Sequence, residues 1–385
     1  MTATQILAKL VSFPVLGGES NLSIANWIQT YLESKGVKVY RFLNEEGTKA
    51  SIHCRIGPSI DGGVILSGHM DVVPVKGQEW DTNPFELIDK GDGNLYARGS
   101  CDMKGFLATC LANVSEMQKA NLKKPIYFAF SFDEEIGCLE GENMVNQIKA
   151  TFHETPKYAL IGEPSLLLPI DGQKGIYVLK TVVTGSSGHS SRIRQEVSAI
   201  HESARLILWL ENKMNQLVAN GHIDKRFNPS HTSIHIGRIE AGIAPNIIAD
   251  KATFYWDVRV IPQDDVLHIV NEFRAFCDEL ELEKGKVFKD FKIRTTDEHP
   301  PVPALNTDES SPIVGLVKRI TGNNEAATVS YASEAGQFAE GGYESVICGP
   351  GSIAQAHRAN EYISIDQLQN GVEMIRNLVR ELSSQ

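Results

Sequence analysis

Four apolar runs in this chain each lead into a residue that can hold a divalent metal. VILSGH ends at His69, IYFAFSFDEE at Glu134 and Glu135, YALIGE at Glu163, and SVICGPGS runs into a loop carrying His357. Asp102 lies in RGSCDMKG, just before a helical pattern. In an open α/β sheet, ligands gather outside the carboxyl ends of the strands. Two His and four carboxylates delivered to one such edge can build a two-metal hydrolytic centre.

Each residue taken singly also has a plainer reading. His69 and Asp71 stand two apart at a strand end, and period-2 alternation turns both to one face. His69 can then bind metal through one ring nitrogen while Asp71 accepts a hydrogen bond from the other. A His ending a strand and an Asp capping a turn before Pro74 fit the same letters. Asp102 fits an N-cap as well as a bridging carboxylate. Asp133-Glu134-Glu135 is either an ordinary acidic loop or three repelling carboxylates relieved by a cation. In the second case one Glu binds metal and its neighbour is free to take a proton. Glu163 precedes Pro164 at a turn, and His357 follows a Gly/Pro-rich loop able to approach a ligand closely.

Joint placement is far more specific than any member. His and carboxylate donors without thiolate suit Zn²⁺, with Co²⁺ or Mn²⁺ as alternatives, in an open catalytic site. The cysteines (Cys54, Cys101, Cys110, Cys138, Cys277 and Cys348) are scattered and form no C-x-x-C pair, as expected of reduced thiols.

The elements that must position these residues alternate between helix and strand over the first ~175 residues, the pattern of an α/β sheet flanked by helices. MKGFLATCLANVSEMQKA reads as the helix after Asp102. The texture then changes to an alternating strand, IYVLKTVVTG, a long helix over SAIHESARLILWLENKMNQLV, two antiparallel strands, a second helix and the strand FKIRTTDEH. That order predicts a smaller α+β unit, βαββαβ, inserted at 178–293 into a discontinuous catalytic domain of 1–177 and 294–385. Two surfaces of the unit are offered for pairing with a second copy: the apolar face of its long helix around Leu206, Ile207 and Leu210 with Trp209 beside them, and the outer edge of its antiparallel strands.

With 385 residues the chain can support two cores. Lys+Arg 37 against Asp+Glu 48 gives a net charge of -11, which argues against a nucleic-acid partner, since that needs a basic footprint. No apolar stretch approaches the ~18 residues of a membrane span. The N-terminus lacks a basic segment and a cleavage site, so a cytoplasmic protein without a membrane partner is expected.

SGHMDVVP, ARGSCDMKG, FSFDEEIG, IGEPS and GPGSIAQAHRANEY, in this order, resemble the acetylornithine deacetylase and succinyl-diaminopimelate desuccinylase family of di-metal amidohydrolases. TGSSGHSSR and the APNIIAD…WDVRVIP stretch extend the resemblance through the insertion, and GHSS, DEHPPVP, YASEAGQF and CGPGSIAQAH lean toward its deacetylase branch. The resemblance implies His69, Asp102 and Glu163 on one metal, and Asp102, Glu135 and His357 on the other. Glu134 matches the family's general acid/base and Asp71 the partner of His69. It also implies that His189 reaches the neighbouring subunit of a homodimer to hold an oxyanion, and that Asn246 and Arg259 bind a substrate carboxylate. The substrate implied is a small N-acyl amino acid, foremost N2-acetyl-L-ornithine. N-succinyl-diaminopimelate, other N-acyl amino acids and dipeptides are rivals of the same chemistry. A metal-dependent binding protein is a rival of another class, opposed by a base beside the metal.

Overall fold

The apolar runs that end in candidate ligands are strands with no face left to water. A computed structural model describes residues 1–384. Val64–His69 and Ile126–Ser131 are buried along their whole length. A continuous apolar strand is stable only where helices cover both faces, which is the environment of parallel strands.

These two lie parallel, with Tyr158–Pro164 parallel on the other side of Val64–His69 and Glu344–Gly349 parallel beyond it. Ala50–Ile56 and Val39–Leu43 add antiparallel strands at one side. Among the described residues the mixed sheet has nine strands. Helices Ala3–Val11, Lys104–Ala112 and Ile365–Ser384 pack together. Their apolar residues join the sheet in one core with Phe128, Phe130 and Leu160. Phe106 lies so close to the Tyr158–Pro164 strand that a Cβ at Gly162 would stand 2.0 Å from its ring, so only glycine fits there.

The segment read as one helix after Asp102 is two, Lys104–Ala112 and Val114–Lys119. Asn113 parts them, its Nδ2 donating back to the Thr109 carbonyl at 2.8 Å. Short polar side chains compete with helical backbone bonds in this way.

The chain divides into two compact units. One comprises Met1–Gly172, Leu305–Thr328 and the described residues from Ser333 onward; the other comprises Gln173–Ala304 with Val329–Ala332. The boundaries expected at 178 and 293 therefore need correction, since they cut the strands Gly175–Thr184 and Lys292–Asp297 of the second unit. A boundary read from texture falls where the pattern becomes visible, a few residues inside the element.

The second unit is an antiparallel sheet in the order Ser233–Ala241, Lys251–Val260, Gly175–Thr184, Lys292–Asp297. Helices Ala199–Ala219 and Val266–Lys284 pack on it, giving a βαββαβ sequence of main elements. Leu206 and Leu210 are fully buried in this unit's own core with Phe254, Trp256 and Phe273. Trp209 stacks on Phe276, ring centroids 5.7 Å apart. Leu206 and Leu210 are thus covered within the chain, while Ile207 and Trp209 stay half-buried. The strand Ser233–Ala241 is an edge, with Ile239 exposed on it and Ile243 exposed just beyond. No helix among the described residues is long and apolar enough to cross a membrane.

Candidate metal centre

Parallel register brings the strand ends level. His69 is paired with Ser131, and Ser67 with Ile161, so two residues further His69 stands beside Glu163. Nε2 of His69 lies 3.9 Å from Glu163 Oε1, 3.7 Å from Glu134 Oε2 and 3.4 Å from Asp102 Oδ1. Loops supply the rest. His357 Nε2 is 3.2 Å from the other oxygen of Asp102 and 3.0 Å from Glu135 Oε2. Asp102 does not cap the helix that follows, which begins without a side-chain cap. Its two oxygens face two different histidines.

All six residues expected from the sequence to surround a metal pair therefore meet at one place. Two groups, His69 with Asp102 and Glu135, and His69 with Glu134 and Glu163, each offer ligand atoms within 4.8 Å of one another. The electrostatics state the same need for positive charge. Burial, with Glu134 and Asp102 adding to it, raises the Glu163 carboxyl well above its ordinary range. Burial also pushes Glu134 up to about 8, against the opposing pull of His69. Burial alone would keep His69 neutral, yet Asp102, Glu134, Asp71 and Glu163 lift it well above the usual histidine value. Hydrogen bonds to Asp102 and Glu135 carry His357 to about 10. Carboxylates crowded in this way hold protons unless a cation compensates them. The donors are oxygen and imidazole. Cys101 and Cys138 are held protonated by burial, and their thiols donate to the Ser352 carbonyl and to Glu134 Oε1, each at 3.3 Å. The residues fit a pair of divalent ions.

Asp71 sits differently from expectation. The His69 ring nitrogen Nδ1 meets the backbone carbonyl of Asp71 at 2.9 Å, while Asp71 Oδ1 lies 3.6 Å from that nitrogen. The carboxylate instead accepts the backbone N–H groups of Glu134 at 3.3 Å and Glu135 at 3.2 Å. The neighbouring Asp133 has φ 57, a left-handed conformation, and is tied to the Gly18 N–H at 2.8 Å and to the Lys49 ammonium.

Glu361 has no counterpart in the expected site. Fully buried, it accepts from the backbone N–H groups of Gly99 at 3.0 Å, Cys101 at 2.9 Å and Asp102 at 3.0 Å, and pairs with Arg98 at 2.8 Å. Its only trace in the sequence is a carboxylate four residues after His357. Glu334 is a second buried carboxyl, raised by its burial to about 7, in the YASEAGQF segment.

The other three expected residues lie in the second unit. Gly188–His189 pairs with Ile247–Ile248, which sets Asn246 beside His189's ladder partner. The Asn246 carbonyl accepts from the Ser190 N–H at 3.0 Å. His189 is exposed, with Nδ1 2.9 Å from Ser191 Oγ. Arg259 stands on the Lys251–Val260 strand, 3.3 Å from Asp257 and 3.5 Å from the Ser330 carbonyl.

Residues 65–381, which contain every candidate ligand, match the sequence model of peptidase family M20/M25/M40. The chain belongs to this family. Its members hydrolyse amides. An acetylornithine deacetylase of Aliivibrio salmonicida is 31% identical over 362 residues, covering 94% of this chain and 92% of that protein. The fold is shared with an M20 family metallo-carboxypeptidase from Sulfolobus solfataricus, at TM-score 0.79 and 17% identity over 100% of this chain and 99% of that one. It is shared also with a Bacillus subtilis protein described as a dinuclear metal binding peptidase of the M20 family, at TM-score 0.65, 14% identity and coverage of 100% and 98%.

Proposed function

We propose that this M20 chain is a two-metal deacetylase that converts N2-acetyl-L-ornithine and water to L-ornithine and acetate, a step of arginine biosynthesis. The observation that carries the two-metal reading is Asp102, whose oxygens face His69 at 3.4 Å and His357 at 3.2 Å. A carboxylate placed between two histidines could serve both ions. His69, Asp102 and Glu163 would hold one ion in this reading, and Asp102, Glu135 and His357 the other. When bound, such a pair would supply the Lewis acidity that turns water into a nucleophile near neutral pH and polarises an acyl carbonyl. Zn²⁺ is favoured by the donor set, and Co²⁺ or Mn²⁺ would fit the same oxygens and imidazoles.

Glu134 is the acid/base. Its Oε1 receives the Cys138 thiol at 3.3 Å, while Oε2 faces His69. From there it takes a proton from water and returns it to the leaving amine. His189 of a second subunit would hold the oxyanion, and Asn246 with the planar fork of Arg259 the substrate carboxylate. This makes a homodimer the working assembly. The substrate choice rests on the curated relatives named acetylornithine deacetylase at about this identity.

The test is a panel of amides offered to purified protein with added Zn²⁺ or Co²⁺: N2-acetyl-L-ornithine, N-succinyl-diaminopimelate, other N-acetyl amino acids and dipeptides. The highest kcat/KM is expected on acetylornithine. A tenfold preference for any other member overturns the substrate and leaves the chemistry. No turnover of any of them overturns the enzyme.

A further inference from the structure

His357 is the most precariously held of the candidate ligands. Its side chain is 57% exposed, it comes from a loop, and its backbone has φ 63. A non-glycine residue in that left-handed conformation persists only where its surroundings enforce it. The enforcement comes from a segment far away in sequence. Gln78 Nε2 donates to the His357 carbonyl at 2.7 Å, and the Asp81 N–H to Asn360 Oδ1 at 3.0 Å. The orientation of the Gln78 amide is set by its other end, because Oε1 receives Arg98 at 2.5 Å and the Trp80 indole N–H at 3.2 Å. Only the donor end is then left for the carbonyl.

The chain of contacts does not stop at Arg98. The guanidinium lies over the Trp80 ring, 5.1 Å from its centroid, and pairs with the buried Glu361 at 2.8 Å. Glu361 in turn holds the N–H groups of Cys101 and Asp102. One continuous polar path, Gln78–Arg98–Glu361, therefore joins the backbone of His357 to the backbone of Asp102. Those two residues face each other across 3.2 Å. Groups behind a ligand fix its aim, and their loss typically weakens metal affinity or activity roughly 10–100-fold.

We propose that Gln78 is a positioning residue that, through Arg98 and Glu361, sets the spacing of Asp102 and His357 and so the affinity of the ion position they share with Glu135. The inference rests on the two-ion reading above. It separates the two positions by degree: the one completed by Glu163 shares Asp102 but keeps two strand-borne ligands, His69 and Glu163, whereas the other also depends on the loop-borne His357.

The experiment is calorimetric titration of metal-free, full-length protein with Zn²⁺, for wild type, Gln78→Ala and Gln78→Glu. Gln78→Glu keeps an acceptor for Arg98 but has no donor for the His357 carbonyl, so it isolates that contact. Thermal melts of the metal-free variants show whether the fold is kept. Wild type should take up two ions per chain. In both variants one binding event should weaken 10–100-fold and the other by a clearly smaller factor. Two unchanged events in Gln78→Ala overturn the inference, and so does equal weakening of both. Wild type that binds fewer than two ions overturns instead the two-ion reading beneath it.

Discussion

His69 is oriented by the backbone of Asp71 rather than by its side chain: Nδ1 lies 2.9 Å from the Asp71 carbonyl oxygen. The tautomer that leaves Nε2 facing the carboxylates is thus specified by main chain, which no substitution at position 71 removes. The Asp71 carboxylate serves the adjacent loop, through the N–H groups of Glu134 and Glu135.

Asp71→Asn should therefore leave the aim of His69 intact and disturb Glu134 and Glu135. An amide presents one acceptor where the carboxylate presents two, so one of the two N–H groups loses its partner. We expect kcat to fall about 10–100-fold, the usual size of such supporting effects. Steady-state kinetics with a metal count check it. Activity within twofold of wild type would remove Asp71 from the support of that loop.

Glu134→Gln should keep the fold and both ions while kcat on acetylornithine falls about 10²–10⁴-fold, because the amide preserves size without basicity. Metal content by atomic emission and turnover on the same preparation decide this. Near-wild-type turnover would take proton transfer away from Glu134.

His189 tests the homodimer. On the proposed reading, a chain lacking His189 spoils its partner's site and a chain lacking Glu134 spoils its own. Mixing inactive His189→Ala with inactive Glu134→Gln should restore activity as subunits exchange, since one site of the mixed dimer then has both residues. If exchange is shown by mass spectrometry and activity stays absent, His189 does not act across subunits.

His53 makes a prediction about stability. It is fully buried in the Ala50–Ile56 strand, with Nε2 2.8 Å from Gln147 Oε1 and Nδ1 without a partner. Burial holds its pKa down at about 4, against 6.5 for a free histidine. The unfolded chain therefore binds the proton between those values and the folded chain does not. This contribution to stability is complete above about pH 6.5 and shrinks as pH falls toward 4. Between pH 7.5 and 5.0 it amounts to about 2 kcal/mol at ~1.4 kcal/mol per pH unit below the free value. In metal-free protein, His53→Gln should lose less stability than wild type over that interval. Denaturant titrations at the two pH values measure the difference, and equal losses would mean that His53 is charged in the fold.

Much of the site was legible because hydrophobic pattern and strand ends are local properties. VILSGH and YALIGE are dominated by apolar residues up to their last positions, which calls for buried strands, and such strands in one sheet bring His69 and Glu163 to one edge. The βαββαβ order of the second unit was readable for the same reason, from alternation and helical period. Asp102 was ambiguous, since a cap and a bridge need the same residue type in the same place. The uncapped helix and the two facing histidines are facts of three-dimensional placement.

What the sequence determined by itself is the inventory of candidate ligands and the elements that end in them. Tertiary structure alone decided the support: the Asp71 carbonyl on His69, the three N–H groups on Glu361, and Gln78 against His357 from 279 residues away. The reason is physical. Most of these bonds involve backbone groups, which every residue carries, so nothing in a residue's identity announces them. They exist only where loops of no regular period happen to pass within hydrogen-bond reach. Leu206 and Leu210 show the same limit on the apolar side. An amphipathic face states that it must be covered, and the packing of the chain on itself states by what.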